Sequence, residues 1–199
     1  FGEVFLISGK SVLALIPARE GSKRCPEKNW TIYQNKSTGE THPLIGWAIK
    51  HAQGSKYIDT IAVSSDSDLI LAHAKPPVIR IKRPAHLASD HASSEAVIVH
   101  ALYSLTSLGE LTIPFHDLLV LLQPTSPLRE SQDIDACLEI AVQSSQAVTS
   151  TDPHHRLNGA VYVHHTTKFL SSLRFGGALH HVMPLERSLD IDQPSDFAL

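Results

Sequence analysis

The sequence predicts one α/β domain, residues 1–199, with a doubly wound, mostly parallel sheet and helices on both faces. Two apolar runs, Val12–Ile16 and Leu118–Leu122, are typical of strands that are buried on both faces of such a sheet. Strand-like and helix-like segments alternate along the chain, which favours parallel strands joined by right-handed crossovers. Ligands bind beyond the carboxyl ends of the strands in sheets of this kind, so we expect a site in the loops that follow the strands.

The individual elements follow from hydrophobic periodicity and from turn residues. The predicted strands are, in order, Val12–Ile16, Thr60–Val63, Val78–Ile81, Asp117–Leu122, Ala147–Thr149, Ala160–Val163 and Leu189–Asp192. The predicted helices cover residues 43–54, a segment that begins at residues 66–68, residues 92–108 and residues 131–143. Asp66 and Asp68 suit the positive end of a helix, and Pro124 and Pro127 stop the fourth predicted strand.

The composition is that of an ordinary globular protein, with 42% hydrophobic and 19% charged residues. A formal net charge of −3 argues against nucleic acid or an acidic membrane surface as a partner. No apolar run approaches the ~20 residues that a membrane-spanning helix needs. The apolar stretch at residues 4–16 lacks a basic leader and a cleavage site of small residues, so we expect a cytoplasmic protein.

The cysteines and histidines do not predict a metal site. Cys25 and Cys137 are the only cysteines and lack the spacing of metal ligands, and two thiols in a domain of this size are typically reduced and unpaired. Thirteen histidines include pairs at 154–155, 164–165 and 180–181. Adjacent side chains of an extended segment point to opposite faces, so these pairs favour surface histidines over a zinc site.

The loop after the first predicted strand, residues 17–29, is strongly basic. It places four cations around a glycine and a serine, namely Arg19, Lys23, Arg24 and Lys28 around Gly21 and Ser22. Converging backbone N–H groups beside cations are suited to a polyphosphate. The loop lacks the spacing of a Walker loop, and the chain has no G-x-G-x-x-G dinucleotide fingerprint. Charge alone leaves a solvated basic turn as an equal alternative.

The segment Leu15–Asn29 resembles the N-terminal signature of the acylneuraminate cytidylyltransferases, which are also called CMP-sialic acid synthetases. Three further segments resemble the family in the expected order: Arg83–Ser94, Leu122–Arg129 and Ser188–Asp192. The resemblance implies a Rossmann-like nucleotidyltransferase fold. It also implies an enzyme that joins CMP from CTP to a nine-carbon, sialic-acid-like sugar acid and releases pyrophosphate. The implied partners are CTP and a nonulosonic acid, the implied cofactor is Mg²⁺ or Mn²⁺, and the implied assembly is a homodimer.

The same resemblance implies that the first loop wraps the triphosphate of CTP, with Arg19 and Lys23 on the phosphates. The nucleotide-binding residues that it implies are Ala18, Arg19, Gly21, Ser22, Lys23, Lys28, Asn29, Arg83, Ala92, Ser93 and Ser94. Arg83 and residues 92–94 would bind cytosine, which offers two acceptors, O2 and N3, and a donor, N4. The alternative for Arg83 is a surface ion pair.

The resemblance also implies a sugar site and a metal site. Gln123, Thr125, Ser126 and Arg156 would bind the sugar acid. The alternative is a turn framed by prolines in which Thr125 and Ser126 only cap the backbone. Asp190 and Asp192 would bind the metal. In an extended segment these two carboxylates project from one face, while Leu189 and Ile191 face the core. Paired carboxylates suit a hard cation such as Mg²⁺, and a solvated strand end is the alternative.

The implied catalytic residues are Lys23, Arg19 and Asp192. Neutralising the charge on the phosphates is the main help that a protein can give to this transfer. The sequence leaves the general base open between Asp192 and a water molecule on the metal.

The sequence departs from the family pattern near residues 153–157. The family usually carries a dimerisation hairpin of a few tens of residues there, which lends residues to the neighbouring sugar site. Either this segment has been lost, or the chain as given omits a mobile stretch, and we expect the second. Residues 34–42, by contrast, are predicted to form an enlarged turn.

Two other functions compete with this prediction. A CMP-Kdo synthetase shares the fold and the reaction, but its first loop normally has a Ser-Thr-Arg-Leu-Pro-Gly-Lys character. Gly21-Ser-Lys-Arg with Lys28-Asn29 departs from it. A nucleotide-binding module without catalytic activity is the other alternative. The presence of Lys23, Asp190 and Asp192 argues against it.

Overall fold

A computed structural model of the chain describes residues 7–109 and 116–198. Its strands are β1 (Val12–Pro17), β2 (Ile32–Gln34), β3 (Thr41–Pro43), β4 (Thr60–Ser65), β5 (Ile79–Lys82), β6 (Leu118–Leu121), β7 (Val148–Thr151), β8 (Leu157–His165) and β9 (Leu179–Val182). Its helices are α1 (Leu44–Gln53), α2 (Asp68–Leu71), α3 (Ser94–Ser107), α4 (Ser131–Ser144) and α5 (Thr166–Ser172).

Among these residues, seven strands form one sheet in the order β5-β4-β1-β6-β8-β7-β9. Strand β1 pairs in parallel with β4 on one side and with β6 on the other. Only β8 runs antiparallel to its neighbours, β6 and β7. The predicted mostly parallel sheet is therefore confirmed.

The core lies on both faces of the sheet. In β1, Val12, Ala14 and Ile16 pack into one buried cluster, which also takes in apolar residues of α1, α2 and α4. The alternate residues Leu13 and Leu15 pack into a second cluster with α3 and α5. Successive side chains of a strand point to opposite faces, so a wholly apolar strand needs helices on both sides. This arrangement is the doubly wound fold that the sequence predicts.

The predicted strand at Leu189–Asp192 is wrong. Residues 189–192 belong to no strand, and their backbone is held to the rest of the described chain by a hydrogen bond from Ile191 N to Thr125 O at 2.8 Å. The predicted alternation is nevertheless present, since Ile191 is fully buried and Leu189 packs against the same small cluster. An alternating pattern reports which side is buried, and here the segment packs on α1 instead of pairing with a strand.

Two connections differ in detail from the sequence prediction. The enlarged turn predicted at residues 34–42 is the end of a small antiparallel hairpin, β2–β3, which the sequence did not predict. A tight turn joins β7 to β8, where the Asp152 carboxylate accepts hydrogen bonds from the backbone N–H groups of His154 (2.8 Å) and Arg156 (2.9 Å). That a segment of the family is missing near residues 153–157 stays a prediction. Within residues 7–109 and 116–198, no helix is long and apolar enough to cross a membrane.

Candidate active site

Two adjoining cavities open at the carboxyl ends of β1, β5 and β6. The first, called here the loop cavity, has a volume of about 530 Å³ and is lined mainly by the basic loop and by residues 123–125. The second, the helix cavity, has a volume of about 240 Å³ and is lined in part by Ala92, Ser94 and Val97 near the start of α3. The two cavities share four lining residues: Pro17, Arg19, Arg83 and Asp90. The basic loop and the Arg83–Ser94 segment therefore line one continuous cleft.

The basic loop is held in place by its own uncharged residues. Ala18 N donates to Ser64 O at 3.0 Å, which continues the pairing of β1 with β4. The buried side-chain amide of Asn29 donates to the carbonyl of Arg19 at 2.7 Å. Ser22 accepts a hydrogen bond from Cys25 N at 3.4 Å. These contacts shape the loop and leave its cations to face the cleft.

Arg19 and Lys23, the predicted phosphate-binding cations, both contact Asp90. Arg19 Nη1 lies 2.7 Å from Asp90 Oδ1, and Lys23 Nζ lies 2.5 Å from Asp90 Oδ2. Hydrogen bonds from Lys23 and Arg19 hold the pKa of the Asp90 carboxyl below its ordinary value. The sequence did not single out Asp90, although it lies inside the Arg83–Ser94 segment.

The other two cations of the loop contact the predicted metal ligand Asp192. Arg24 Nη1 lies 3.0 Å from Asp192 Oδ2, and Lys28 Nζ lies 3.3 Å from Asp192 Oδ1. Lys28 also donates to the carbonyl of Ile191 at 2.9 Å. The basic loop and the late aspartates, which are more than 160 residues apart in sequence, thus meet at one end of the sheet.

Asp190 is close enough to Asp192 for their charges to interact, but it lines a third cavity, with Tyr33 and Leu189, and neither of the other two. The pKa of the Asp190 carboxyl is raised, first because nearby protein atoms desolvate it and then because Asp192 adds a like charge, while Thr125 and Lys28 act in the opposite direction. The carboxylate of Asp196 accepts hydrogen bonds from the backbone N–H groups of Asp192 and Gln193, both at 2.8 Å, and so fixes the segment.

This donor set fits a magnesium ion that is shared with a ligand. Among residues 7–109 and 116–198 there is no group of three or more histidine, cysteine or acidic side chains that could hold a metal ion. Mg²⁺ is commonly held by one or two carboxylates, with water and substrate phosphates as its other ligands. Asp192 disfavours a negative charge on Asp190, and Asp192 contacts the predicted phosphate loop, so the pair of carboxylates matches that requirement.

Arg83 has hydrogen-bond donors to offer to a ligand. It is buried, it makes no ion pair within the part of the chain that the structure describes, and its Nε and Nη2 atoms have no partner there. Burial lowers the pKa of this guanidinium, and the charge of Asp66 partly opposes that effect. Because Arg83 lines both cavities, these donors suit an acceptor-rich ring such as cytosine. The alternative of a surface ion pair is wrong.

The residues predicted to bind cytosine with Arg83 surround the start of α3. Ala92 and Ser94 line the helix cavity. Ser93 instead caps the helix, since its hydroxyl accepts a hydrogen bond from Ala96 N at 3.2 Å. Gly21, in the basic loop, has open space where a side chain would project, which suits the close approach of an anion.

The structure brings together only part of the predicted sugar site. Gln123 and Thr125 line the loop cavity. Ser126 is fully buried and its hydroxyl donates to the carbonyl of Asn158 at 3.5 Å, so it supports the turn. Arg156 lines neither cavity, and its guanidinium pairs with Asp152 at 2.6 Å in the β7–β8 turn.

Gly159 and Arg129 are two residues of the site that the sequence did not identify. At Gly159, with φ of +72°, an added Cβ would lie 2.9 Å from Gln123 Oε1 and 3.6 Å from Asp190 Oδ2. Fully buried Arg129 donates to the carbonyls of Gln123 at 3.2 Å and Ala160 at 2.6 Å, and burial lowers its pKa to about 10. The available signals were the Asn-Gly dipeptide and an arginine within the Leu122–Arg129 segment.

Comparisons with known proteins agree with this geometry. The chain is 29% identical to the N-acylneuraminate cytidylyltransferase of Escherichia coli, in an alignment that covers 94% of this chain and 51% of that protein. It is 28% identical to the CMP-N,N'-diacetyllegionaminic acid synthase of Legionella pneumophila, with 94% of both chains covered. The chain thus spans about half the length of the first relative and nearly all of the second.

Solved structures share the fold at low sequence identity. The structure of a CMP:2-keto-3-deoxy-manno-octonic acid synthetase complexed with CTP aligns with a TM-score of 0.69 and 13% identity, over 93% of this chain and 94% of that one. That likeness shows the nucleotidyltransferase fold alone. The sequence model of the cytidylyltransferase family matches residues 13–173, which is most of the chain. The chain therefore belongs to the cytidylyltransferase family.

Proposed function

We propose that this chain joins CMP from CTP to a nine-carbon, sialic-acid-like sugar acid and releases pyrophosphate. The names of the relatives support the sugar class, because one acts on N-acylneuraminate and another makes the CMP derivative of a legionaminic acid. Homodimerisation and a cytoplasmic location stay predictions from the resemblance and the sequence.

One set of contacts carries the proposal: Arg24 and Lys28 line the loop cavity and reach Asp192 beside it. These contacts, at 3.0 and 3.3 Å, support the proposal because they bring cations suited to phosphates next to a carboxylate suited to a metal ion. Transfer of a nucleotidyl group needs both kinds of charge within reach of the same triphosphate.

The roles of the residues follow from their positions. The anomeric hydroxyl of the sugar acid would attack the α-phosphorus of CTP in line, and the bond to the pyrophosphate oxygen would break. Arg19 and Lys23 would hold the phosphates and stabilise the charge that builds up on them. Arg83 would orient cytosine, and Gln123 would position the sugar acid. The acceptor of the hydroxyl proton stays open between Asp192 and a water molecule.

Asp190 and Asp192 would hold the divalent cation, Mg²⁺ or Mn²⁺. When bound, the ion supplies positive charge to the phosphate oxygens, which lowers the barrier to displacement. The charge of Asp192 is already balanced by Arg24 and Lys28, so we expect those two side chains to turn from the carboxylate towards phosphates when the nucleotide and the ion bind.

The direct test is an assay of pyrophosphate release with CTP, Mg²⁺ and a panel of sugar acids. The panel includes N-acetylneuraminic acid, N,N'-diacetyllegionaminic acid and Kdo. Release with at least one nine-carbon acid is the expected result. Release with Kdo alone would favour a CMP-Kdo synthetase, and no release with any acid despite CTP binding would favour a nucleotide-binding module. Light scattering of the same sample tests the predicted homodimer.

A further inference from the structure

Asp90 has a position in the cleft to which neither the sequence nor the proposed reaction assigns a role. It belongs to the wall shared by the loop cavity and the helix cavity. Both of its carboxylate oxygens are engaged, Oδ1 with Arg19 Nη1 at 2.7 Å and Oδ2 with Lys23 Nζ at 2.5 Å. One carboxylate thus joins two cations that lie four residues apart in the loop.

The two partners of Asp90 are the cations proposed to hold the triphosphate. A carboxylate presents two anionic oxygens to them, as a phosphate group would. The Lys23 side chain is 84% exposed and those of Arg19 and Asp90 are about one-third exposed, so both ion pairs are open to solvent. Ion pairs of this kind contribute little free energy, so an incoming anion can replace the carboxylate at a small cost in free energy.

We propose that Asp90 is an internal anion that occupies Arg19 and Lys23 in the empty site and is displaced by the triphosphate of the nucleotide. The inference rests on the proposed function, because it takes these cations as phosphate ligands. It adds a reason why the site would prefer nucleoside triphosphates to uncharged nucleosides. A ligand with several phosphate charges compensates the two cations after Asp90 leaves, whereas an uncharged nucleoside cannot displace the carboxylate.

The position of Asp90 also allows a competing role. The wall between a base and its phosphates is where the ribose of a nucleotide lies, and a carboxylate there could accept hydrogen bonds from ribose hydroxyls. The two roles predict opposite effects when the charge of Asp90 is removed. If Asp90 competes with phosphates for the cations, the variant binds polyphosphates more tightly than the wild type does. If Asp90 contacts the ribose, the variant binds the nucleoside more weakly.

The test is calorimetric titration of the wild type and of Asp90→Asn with three probes: CTP, inorganic tripolyphosphate and cytidine. We expect the variant to bind CTP and tripolyphosphate about two- to tenfold more tightly, the range expected when competition from two solvent-exposed ion pairs is removed. Cytidine affinity stays unchanged. Glu40→Gln is the matched control, because it removes the carboxylate of another exposed ion pair, with Lys50, that lines neither cavity.

Two results would overturn the inference. Weaker binding of cytidine and CTP by Asp90→Asn would assign Asp90 to the ribose, and unchanged binding of both polyphosphates would show that Asp90 does not compete for the cations. Asp90→Ala should also bind both polyphosphates more tightly, so the test does not depend on the correct folding of a single variant. If the wild type bound tripolyphosphate but not CTP, the proposed function would fail while the tripolyphosphate comparison still tested the inference.

Discussion

At the scale of single residues, the cations of the basic loop are paired with carboxylates in the structure. Arg19 and Lys23 share Asp90, while Arg24 and Lys28 share Asp192. Each ion pair joins a cation of the basic loop to a carboxylate. Asp90 lines the cleft, and Asp192 contacts loop residues that line it. When a nucleotide and its metal ion bind, phosphates therefore replace carboxylates as partners of these cations. Without a nucleotide, the carboxylates prevent a cluster of unpaired positive charges.

The first prediction concerns Asp192. Asp192→Asn removes a proposed metal ligand while leaving the shape of the side chain, so we expect kcat to fall by about 100-fold or more, the usual loss when charge stabilisation is removed from a transition state. CTP binding should persist, because Arg24 and Lys28 remain. Steady-state kinetics and calorimetry measure the two effects. Asp68→Asn is the control, because Asp68 forms an exposed ion pair with Lys82. Wild-type turnover in Asp192→Asn would mean that Asp192 is not a metal ligand.

The second prediction concerns the unpaired donors of Arg83. Arg83→Gln should weaken CTP binding by roughly 10- to 100-fold, which is the value of lost hydrogen bonds from a charged donor. The affinity for tripolyphosphate should not change, since that ligand has no base. Titration with both ligands measures the difference. Equal losses for the two would mean that Arg83 acts on the phosphates or on folding and does not bind cytosine.

The third prediction concerns Gly159. An alanine there would need a φ of +72°, which costs about 1–2 kcal/mol for a residue with a side chain, and its methyl group would press on Gln123. We therefore expect Gly159→Ala to lower the melting temperature slightly and to raise KM for the sugar acid more than KM for CTP. Gly109→Ala is the control, because its φ of +75° imposes a similar strain while an added Cβ there would meet open space. An unchanged KM for the sugar acid would mean that Gln123 does not bind the sugar acid.

At the scale of elements, an ion pair anchors the segment that carries the two aspartates. Arg187, just before Ser188–Asp192, donates to both oxygens of buried Asp133 at the start of α4, at 2.9 and 3.1 Å. Burial works against ionisation of Asp133, but the neighbouring His181 and Arg187 side chains and the Glu130 backbone outweigh it and lower its pKa. The position of Asp190 and Asp192 thus depends on α4.

This anchor predicts a pH dependence of stability. A carboxyl whose pKa is lowered in the folded state stabilises the fold above its unfolded pKa, about 3.9, and that contribution is lost as the pH falls through the folded value. Arg187→Gln should cost about 1–3 kcal/mol at pH 7. The difference from the wild type should shrink below about pH 4. Urea unfolding at pH 7 and pH 3 measures it, and a pH-independent difference would contradict the anchor.

The elements also show what the sequence could predict. Apolar runs such as Val12–Ile16 predicted the buried strands, because burial on both faces leaves a continuous pattern. Leu189–Asp192 shows the limit: its alternation gave the correct buried side, but whether a segment pairs with a strand or packs on a helix depends on distant residues. The partner of Asp90 could not be read from the sequence for the same reason.

At the scale of the whole molecule, the topology explains why the segments of the site converge. From β1 the chain winds outwards through β4 to β5, and it then returns to place β6 on the other side of β1. Loops at the carboxyl ends of β1 and β6 diverge at such a switch point and leave a crevice. The basic loop follows β1, Arg83 follows β5 and Gln123 follows β6, so the strand order brings three of the four signature segments to the loop cavity. The fourth segment reaches it through the contacts of Asp192 with Arg24 and Lys28.

The central claim is that the basic loop and the two aspartates hold one triphosphate and one divalent ion between them. Anomalous scattering from a crystal grown with CTP and Mn²⁺ tests this most directly, because it locates the metal independently of the nucleotide. We predict a single strong peak that joins Asp190 and Asp192 to phosphate oxygens bound by Arg19 and Lys23. A triphosphate on the basic loop with no metal at the aspartates, or a nucleotide elsewhere on the sheet, would contradict it.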